Sequence, residues 1–501
     1  MKKTFKIFYS FLLLSAMVLA VTGCQKLLDR KPLTATLDDL NQGGLEGQIY
    51  GLYSNLRGSA GFTTIPWLAV HDFRSDDSEK GSDPSDGAEW VAPFDQFAYV
   101  KDLWATNQYW DDHYSLINLA NTAIQTADSL KLSDNASVVN IAEAKFFRAF
   151  AYFDLVRTYG DVPKIDFRVY NASQANIAKS PAATIYALID ADLEYAAANL
   201  PLAWGNQYPG RLTSGAAKTL QAKAFLFRGN WARTLALSQS VMSSGAYSLY
   251  TSYYGIFKDA GENCSESIFE IQANVSANGA VRNECGYATT QGVRASTASG
   301  WNLGWGWNTP TDNLVAAYQT GDVRKGSTIL FSGQSDDPAT GGYGRVLPGH
   351  VSEPGGFLPR KYWNKKIYAD PAVRASTGMS DNPAWINKRV LRYGDVLLMT
   401  AESMNELGNG ASAVTLVNQI RSRAGLPNLT YTTQAQLRTD IKQERRVELA
   451  LEGERFFDLV RWGDAQTVLG SLGYSNKCRF YPLPQPAIDK SAGKLVQNPE
   501  W

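Results

Sequence analysis

The stretch AKAFLFRGNWARTLALSQSVMSSG, residues 222–245, returns in altered form as AESMNELGNGASAVTLVNQIRSRAG, residues 401–425. Both stretches have the order of an apolar helix, a Gly-Asn turn and a second apolar helix. The matching residues are 179 positions apart without a gap: Ala222 and Ala401, Gly229 and Gly408, Asn230 and Asn409, Ala232 and Ala411, Leu237 and Leu416, Val241 and Ile420. Because one such hairpin cannot bury its apolar face alone, hairpins of this kind stack on each other. The sequence therefore predicts a mainly α fold on a tetratricopeptide-like helical-hairpin scaffold.

A further scaffold helix is predicted over residues 137–159. Phe146, Phe150 and Phe153 recur at i, i+4 and i+7, which places them on one face of a helix. Gly160 follows directly and is placed to end the helix.

The segment Phe-Asp-Leu-Val-Arg occurs twice, beginning at Phe153 and at Phe457. Its Asp and Arg are three positions apart, so they can pair along one helix face, which contributes roughly 0.2–0.5 kcal/mol when the pair is exposed. We predict that both copies orient helix ends and pack their Phe side chains into the core, and that neither Asp is catalytic.

Composition indicates a globular protein without a nucleic-acid partner. The chain has 501 residues, of which 44% are hydrophobic and 19% charged. Lys and Arg balance Asp and Glu at 48 each, so no basic surface for nucleic acid is indicated. Aromatic residues make up 12% of the chain, a high share, and such rings can form core or bind planar ligands and sugar rings.

The N-terminus has the features of a targeting segment. Lys2, Lys3 and Lys6 precede the apolar run IFYSFLLLSAMVLAV, which ends in VTGC at Cys24. A basic start, a short apolar run and small residues before the Cys resemble a bacterial lipoprotein signal, in which Cys24 becomes the lipidated N-terminus. A plain secretory signal peptide with a chance Cys is the alternative.

Between the helical parts, residues 246–390 hold much of the Gly and Trp and show weak helical periodicity. A long irregular insertion in a compact protein is usually functional or disordered, and its aromatic content argues against disorder. The predicted division is a signal peptide (1–23), a lipidated tether (24–38), an N-terminal helical region (39–245) with a ligand loop at 61–95, an irregular loop-rich region (246–390), and a C-terminal helical hairpin and tail (391–501).

Two aromatic segments of the irregular region are candidate ligand platforms. In SGWNLGWGWNTP, residues 299–310, the glycines allow the backbone to approach a ligand closely. An exposed cluster would bind a ligand, and a buried one would be core. The candidates in this segment and in RKYWNKK, residues 360–366, are Trp301, Trp305, Trp307, Tyr362 and Trp363.

The acidic loop HDFRSDDSEKGSDPSDGAEW, residues 71–90, is the third candidate. Asp76 and Asp77 can accept hydrogen bonds from sugar hydroxyls, Arg74 can donate them, and Trp90 can stack under a ring. A solvated loop and a weak calcium site are the alternatives, since oxygen-rich loops suit calcium although the spacing does not fit an EF-hand. We predict that this loop and residues 299–310 form one shared surface.

The remaining chemistry gives little support for catalysis. The three histidines form no H-E-x-x-H motif, and there is no phosphate-binding loop or G-x-S-x-G. Two carboxylates would suffice for a glycosidase, but no pair is selected by the sequence. Cys264 and Cys285 could form a disulfide in an exported protein. We therefore expect a protein that is not an enzyme and needs no cofactor or metal.

With these segments in view, the chain resembles the SusD/RagB family of Bacteroidetes outer-membrane lipoproteins. The resemblance extends over nearly the whole mature chain. It lies in VTGC, AEAKFFRAFAYFDLVRTYGDVP (142–163), TPTDNLVAAYQTGDVRK (309–325), RYGDVLLMTAESMNELGN (392–409), VNQIRSRAGLP (417–427), IKQERRVELALEGERFFDLVRWG (441–463) and YPLPQPAIDKSAGKLVQNPEW (481–501).

The resemblance implies a role as well as a fold. It implies non-catalytic capture of an oligosaccharide, polysaccharide or other nutrient at the cell surface, and delivery to a SusC-like TonB-dependent outer-membrane transporter. CQKLLDRK after the lipidation site lacks an acidic cluster, so surface export rests on the family. The alternatives are a protein-interaction scaffold that binds no sugar, which buried Trp90, Trp301, Trp305 and Tyr362 would favour, and a glycoside hydrolase.

Overall fold

The computed structural model describes residues 43–276, 282–295, 300–338, 341–351, 359–378 and 383–501. Two compact units are distinguished, Met1–Gln48 and Ile49–Trp501. The signal peptide, the tether and Cys24 lie outside the described residues. No helix in the described ranges is long and apolar enough to cross a membrane.

Helices dominate the fold, as predicted. In the N-terminal half they are α1 (Gly44–Gly58), α2 (Ala60–Thr63), α3 (Ile65–His71), α4 (Ala92–Asp95), α5 (Trp104–Leu130), α6 (Asn135–Tyr159), α7 (Ala182–Asn199), α8 (Ser214–Phe227) and α9 (Trp231–Ser243). In the remainder they are α10 (Gly286–Gln291), α11 (Asp312–Ala317), α12 (Val323–Thr328), α13 (Pro371–Thr377), α14 (Tyr393–Glu406), α15 (Gly410–Arg423), α16 (Gln434–Glu448), α17 (Arg455–Trp462), α18 (Ala465–Leu469) and α19 (Gln485–Lys490).

The strands are short and pair two by two. They are β1 (Ser78–Gly81), β2 (Val162–Pro163), β3 (Lys179–Ser180), β4 (Ser267–Ile271), β5 (Asn274–Val275), β6 (Arg282–Asn283), β7 (Trp307–Pro310), β8 (Ile329–Phe331), β9 (Tyr362–Asn364) and β10 (Lys388–Arg392). The antiparallel pairs are β1 with β7, β2 with β3, β4 with β10, β5 with β6, and β8 with β9.

The sequence repeat is a structural repeat. Ser214 and Tyr393 begin α8 and α14, and these two residues are 179 positions apart, as the matched sequence positions are. The hairpins α8–α9 and α14–α15 pack on each other through α9 and α14. Helices α5, α6, α7 and α8 continue the stack, each against the next. The predicted tetratricopeptide-like scaffold is therefore confirmed.

Each repeat turns on a left-handed glycine. Gly229 has φ 67° and Gly408 has φ 85°, and both follow the first helix of their hairpin. A left-handed backbone costs a residue with a Cβ about 1–2 kcal/mol. At Gly408 an added Cβ would meet no other atom within 4 Å, so backbone strain is the only expected cost there.

We therefore expect Gly408→Ala to lower the free energy of unfolding by about 1 kcal/mol. Gly51→Ala is the matched control, because Gly51 lies inside α1 with ordinary φ and open space. It should be stabilising by about 0.5–1 kcal/mol, since Ala is the better helix former. Urea unfolding of both variants gives the comparison, and equal effects would contradict the left-handed assignment.

The two Phe-Asp-Leu-Val-Arg segments meet inside the protein. The Arg157 guanidinium lies 4.8 Å from the Phe153 ring and 4.2 Å from the Phe457 ring, which belongs to the second copy. Asp154 accepts hydrogen bonds from Arg157 and from His113 Nε2. Burial alone would raise the pKa of Asp154, but the Arg157 charge and the His113 bond hold it well below its usual range. The expected exposed ion pair is instead a buried one, and its structural role is as predicted.

Charged residues of α16 and α17 tie the C-terminal helices to the rest of the molecule. Glu448 lies within 3.0 Å of Arg324 Nη1 and 2.6 Å of Arg392 Nη1, and it also pairs with Arg423. Further buried pairs include Arg445 with Asp395 and Asp458, Arg461 with Glu402 and Asp458, Glu452 with Lys366 and Arg392, Glu454 with Lys223, and Glu444 with Arg324 and Arg421. The sequence block 441–463 therefore supplies many of the buried ion pairs.

The irregular region has a small core of its own. Val293, Leu303, Leu330, Leu347 and Trp363 are all buried in one apolar cluster. The expectation of a folded region with short strands is met over its described residues, whereas the predicted boundaries stay a prediction.

The predicted disulfide is not formed. Cys264 and Cys285 are both free. Each is held by a different backbone neighbour, since the Cys264 amide donates to Gly261 O and the Cys285 amide donates to Ala384 O. Burial raises the pKa of the Cys285 thiol, which favours its protonated form.

Candidate functional site

Strand pairing joins the two candidate loops. Strand β1 (Ser78–Gly81) lies within the acidic loop, residues 71–90, and strand β7 (Trp307–Pro310) forms the end of the Trp-rich segment, residues 299–310. The two strands pair with Gly81 opposite Trp307. Beyond the strands, the Ser82 amide donates to Gly306 O at 2.5 Å and the Ser82 hydroxyl donates to Trp305 O at 3.0 Å. The two loops are therefore adjacent, whereas their use as one shared ligand surface stays a prediction.

The turn after β1 is rigid because cations bind its carbonyls. Lys80 Nζ donates to the backbone oxygens of Gly81, Asp83 and Asp86 at 3.1, 2.9 and 2.6 Å. Arg360 reaches the same turn from the irregular region, with Nη2 2.8 Å from Gly81 O. Burial lowers the pKa of Lys80, with the Arg360 charge adding to it. These hydrogen bonds fix the backbone of the turn without a ligand.

Three tryptophans are exposed at or near this turn. Trp90 is 36% exposed, Trp104 is 43% exposed and Trp305 is 50% exposed. The Trp90 ring lies 5.5 Å from the Trp104 ring and 5.6 Å from the buried Trp307 ring. Trp305 is joined to the turn through its backbone oxygen, which accepts the bond from Ser82. Trp90, Trp104 and Trp305 are together called here the tryptophan surface, and a ligand contact shared by all three stays a prediction.

Trp104 was missed at the sequence level. It is the first residue of α5, and its neighbours give it no loop composition that would mark a binding segment. Its proximity to Trp90 arises because α4 brings the chain back between them. The only feature of the sequence that marks Trp104 as a candidate contact is a large aromatic residue at the start of a helix.

A polar cleft opens beside the same strands. It has a volume of about 490 Å³, and its lining includes Glu79, Pro310, Asp312, Arg360 and Tyr362. Arg360 Nη1 donates to Glu79 Oε1 at 3.1 Å, and the Tyr362 hydroxyl donates to Asp312 Oδ1 at 2.8 Å. The Asp312 hydrogen bond raises the pKa of Tyr362. Half-buried Tyr362 is therefore placed where a ligand can contact it.

Three candidate ligand contacts of the acidic loop, Arg74, Asp76 and Asp77, are buried and bind other parts of the protein. Arg74 is 0% exposed and lies between two rings, 3.9 Å from Phe456 and 4.1 Å from Tyr481. Its Nη2 donates to Val70 O at 2.8 Å. No part of the side chain reaches the surface, so the hypothesis that Arg74 contacts a ligand is wrong.

Asp76 and Asp77 are buried as well. Arg446 lies 2.9 Å from Asp76 Oδ2, and Arg455 lies 2.8 Å from Asp76 Oδ1. Arg446 also binds Asp77 at 2.5 Å, and burial raises the pKa of Asp77 with the Asp76 charge adding to the rise. Their oxygens anchor α16 and α17 and are not free for sugar hydroxyls. Within the described ranges, no group of three or more His, Cys, Asp or Glu could hold a metal ion.

The remaining aromatic candidates divide between core and surface. Trp301 is buried, with its ring 5.8 Å from Tyr368 and the Arg345 guanidinium 4.1 Å away. Trp307 is buried under Gly87, and Trp363 is fully buried with Nε1 donating to Ser332. Direct ligand contact is therefore excluded for Trp363 and disfavoured for Trp301 and Trp307. Trp90, Trp305 and Tyr362 stay candidate contacts.

The fold and this site define a class of protein: a helical-repeat scaffold that presents an open aromatic surface and a polar cleft. Comparison with known proteins assigns the family. The SusD family model matches residues 265–477, and the model described as starch-binding associating with outer membrane matches residues 72–226. The chain belongs to the SusD/RagB family.

Individual relatives agree with this assignment. A SusD-like protein of Formosa agariphila is 29% identical over 431 residues, which are 81% of this chain and 82% of the relative. A solved laminarin-binding SusD-like protein is 26% identical with a TM-score of 0.74, over 91% of this chain and 99% of that one.

A further solved structure is similar in fold. It is the surface glycan-binding protein A of Bacteroides thetaiotaomicron in complex with laminarihexaose, 23% identical with a TM-score of 0.73, over 91% of this chain and 98% of that one. The names of these two solved structures describe binding proteins.

Proposed function

We propose that the protein binds a glycan without cleaving it, through the tryptophan surface and the adjoining polar cleft. The observation that carries the proposal is the exposure of Trp90, Trp104 and Trp305 beside a turn already fixed by Lys80 and Arg360. Sugar rings present apolar faces to aromatic planes, and their hydroxyls find Glu79 and Asp312 in the cleft. The names of the laminarin-binding relatives support a glycan as the ligand.

The interaction scaffold without sugar binding is the weaker alternative. Burial of Trp90, Trp301, Trp305 and Tyr362 would favour it, but Trp90 and Trp305 are exposed. Exposed aromatic patches mark binding surfaces, and the polar cleft beside this one supplies groups that suit sugar hydroxyls. Glycan binding is therefore favoured over a purely structural scaffold.

We further propose that the bound glycan passes to a SusC-like TonB-dependent transporter. The protein would be held at the outer membrane by lipid on Cys24 and face the cell surface. Family membership and the lipoprotein-type sequence at VTGC support this placement. No nucleic-acid partner is proposed.

Isothermal titration calorimetry against laminarin, soluble starch, xylan and mannan tests the ligand class. We expect heat with at least one glycan, no release of reducing sugar, and a dissociation constant in the moderate range, since water competes for every hydroxyl. Absence of heat with all four glycans would overturn glycan binding at this surface.

The transporter is tested separately. The full-length protein, expressed in its own cells with a C-terminal affinity tag, should co-purify with an outer-membrane barrel. A Cys24→Ala variant should lose membrane association while keeping glycan binding, because Cys24 lies outside the binding surface. A full-length protein that purifies alone would contradict the proposed partner.

A further inference from the structure

A second cleft lies on the helical scaffold, at the loop between α7 and α8. It has a volume of about 550 Å³ and shares no lining residue with the cleft beside β1 and β7. Its aromatic lining consists of the half-buried Trp204, Tyr208 and Tyr247 and the buried Phe269. We propose that this cleft is a second carbohydrate-binding site, an inference that rests on the glycan ligand proposed above.

The loop is fixed around Arg211. The Arg211 guanidinium lies 4.2 Å from the Trp204 ring and 5.3 Å from the Tyr208 ring. Its Nη2 donates to Glu143 Oε2 at 2.8 Å, which ties the loop to α6. Trp204 Nε1 donates to Leu212 O at 2.6 Å and so holds the indole in place. A site whose aromatic groups are already ordered loses less entropy when a ligand binds.

The far wall supplies the Asn263 amide group and a carboxylate. Asn263 Nδ2 donates to Gln272 Oε1 at 2.9 Å, and Asn263 Oδ1 accepts from Gln272 Nε2 at 3.0 Å, which fixes the Asn263 amide and leaves its second N–H. The Tyr247 hydroxyl bonds Thr213 Oγ1 at 2.7 Å, so its ring is anchored at one edge. Glu270 lines the base of the cleft. Amides beside aromatic faces match the alternating polar and apolar surface of a pyranose ring.

The charge of the cleft selects for neutral sugars. Arg211 is the guanidinium that lines it, and the Glu143 carboxylate already compensates that charge at 2.8 Å. The Glu270 carboxylate is compensated as well, since it lies 3.6 Å from Arg389 Nε and accepts a hydrogen bond from Asn387, so a uronate or a sulfate ester would find no unpaired cation there. We therefore assign neutral oligosaccharides to this cleft, with two short oligosaccharides bound per chain at saturation.

The test combines calorimetry with hydrogen–deuterium exchange. The probes are laminarihexaose, maltohexaose, cellohexaose and xylohexaose, each added to wild type and to the Trp90→Ala/Trp305→Ala double variant. Wild type should bind two molecules of one of these probes. The double variant should keep one, with slowed exchange over residues 202–213. Adding Tyr208→Ala should remove the second event, whereas adding Tyr170→Ala, outside both clefts, should not.

The outcomes separate the two proposals. One molecule bound per wild-type chain, with unchanged exchange over 202–213, would overturn the second site and leave the proposed function in place. If no probe binds the wild type, both proposals fail for neutral hexasaccharides. The exchange measurement on wild type keeps the test decisive even if Tyr208→Ala does not fold, because it needs no substitution in the cleft.

Discussion

Replacing Glu448 by Gln should destabilise the protein by about 3 kcal/mol or more, because removing one member of a buried ionic cluster leaves charges without compensation. The Glu448 carboxylate is the shared partner of Arg324, Arg392 and Arg423, and it is 0% exposed. Each arginine keeps another acid, so the loss is expected at the lower end of the range for buried pairs. Urea unfolding at pH 7 measures it.

The pH dependence gives the same prediction a second readout. Burial alone would raise the pKa of Glu448, but the charges of Arg423, Arg392 and Arg324 hold it well below its usual range. A lowered pKa in the folded state means that the stabilisation is complete above the unfolded pKa of about 4.3 and is lost as pH falls below it. The stability gap between wild type and Glu448→Gln should therefore be constant from pH 7 to 5 and narrow below about pH 4.

Glu406→Gln is the matched control. Like Glu448, Glu406 pairs with arginine: it accepts two hydrogen bonds from Arg438, each at 2.6 Å. Unlike the Glu448 network, this pair lies near the surface. Exposed pairs of this kind contribute about 1 kcal/mol or less. Equal losses for Glu448→Gln and Glu406→Gln would contradict a buried network as the basis of stability.

The fold was predictable because its information is local. The spacing of 179 between Gly229 and Gly408 is visible in the chain, and a helical hairpin follows from residues close in sequence. Each hairpin packs on the next through apolar faces and, between α8 and α14, also through the buried pair of Lys223 and Asp395. By contrast, closeness in sequence does not predict a bond between Cys264 and Cys285. Both cysteines are free, and their backbone amides donate to different parts of the chain.

The site was only half predictable, because its polar residues depend on distant partners. Asp76 looked free within an acidic loop, yet its arginines stand at positions 446 and 455. The sequence block 441–463 contains Arg446 and Arg455, and these two arginines pair with Asp76 across the fold. The sequence named Trp90, Trp301 and Trp305 as candidates but left open which of them are exposed. Trp90 and Trp305 are exposed and Trp301 is buried, a difference that local sequence does not encode.

Truncating the tryptophan surface is the change with the largest expected effect on ligand binding. Burying a large aromatic side chain against a ligand contributes about 1.5–3 kcal/mol, and each 1.4 kcal/mol is tenfold in affinity. We expect Trp90→Ala and Trp305→Ala each to weaken binding of a laminarin-type polysaccharide about tenfold, and the double variant about 100-fold. Trp104→Ala should have a smaller effect of the same sign, because Trp104 lies outside the two candidate loops and is tied to them through its contact with the Trp90 ring.

Tyr170→Ala is the control for loss of an exposed ring. Tyr170 is 60% exposed in the segment between β2 and β3, and it contributes to neither cleft. Its truncation should leave affinity within about twofold, since no ligand contact is lost. Trp305→Ala and Tyr170→Ala should unfold at nearly the wild-type temperature, because these side chains are 50% and 60% exposed, whereas Trp90→Ala should lose some stability with its packing against Trp307. Calorimetry that gave the same affinity for Trp90→Ala/Trp305→Ala and Tyr170→Ala would show that the glycan binds elsewhere. If Trp305→Ala loses affinity while its unfolding temperature is unchanged, the loss belongs to the aromatic contact and not to the fold.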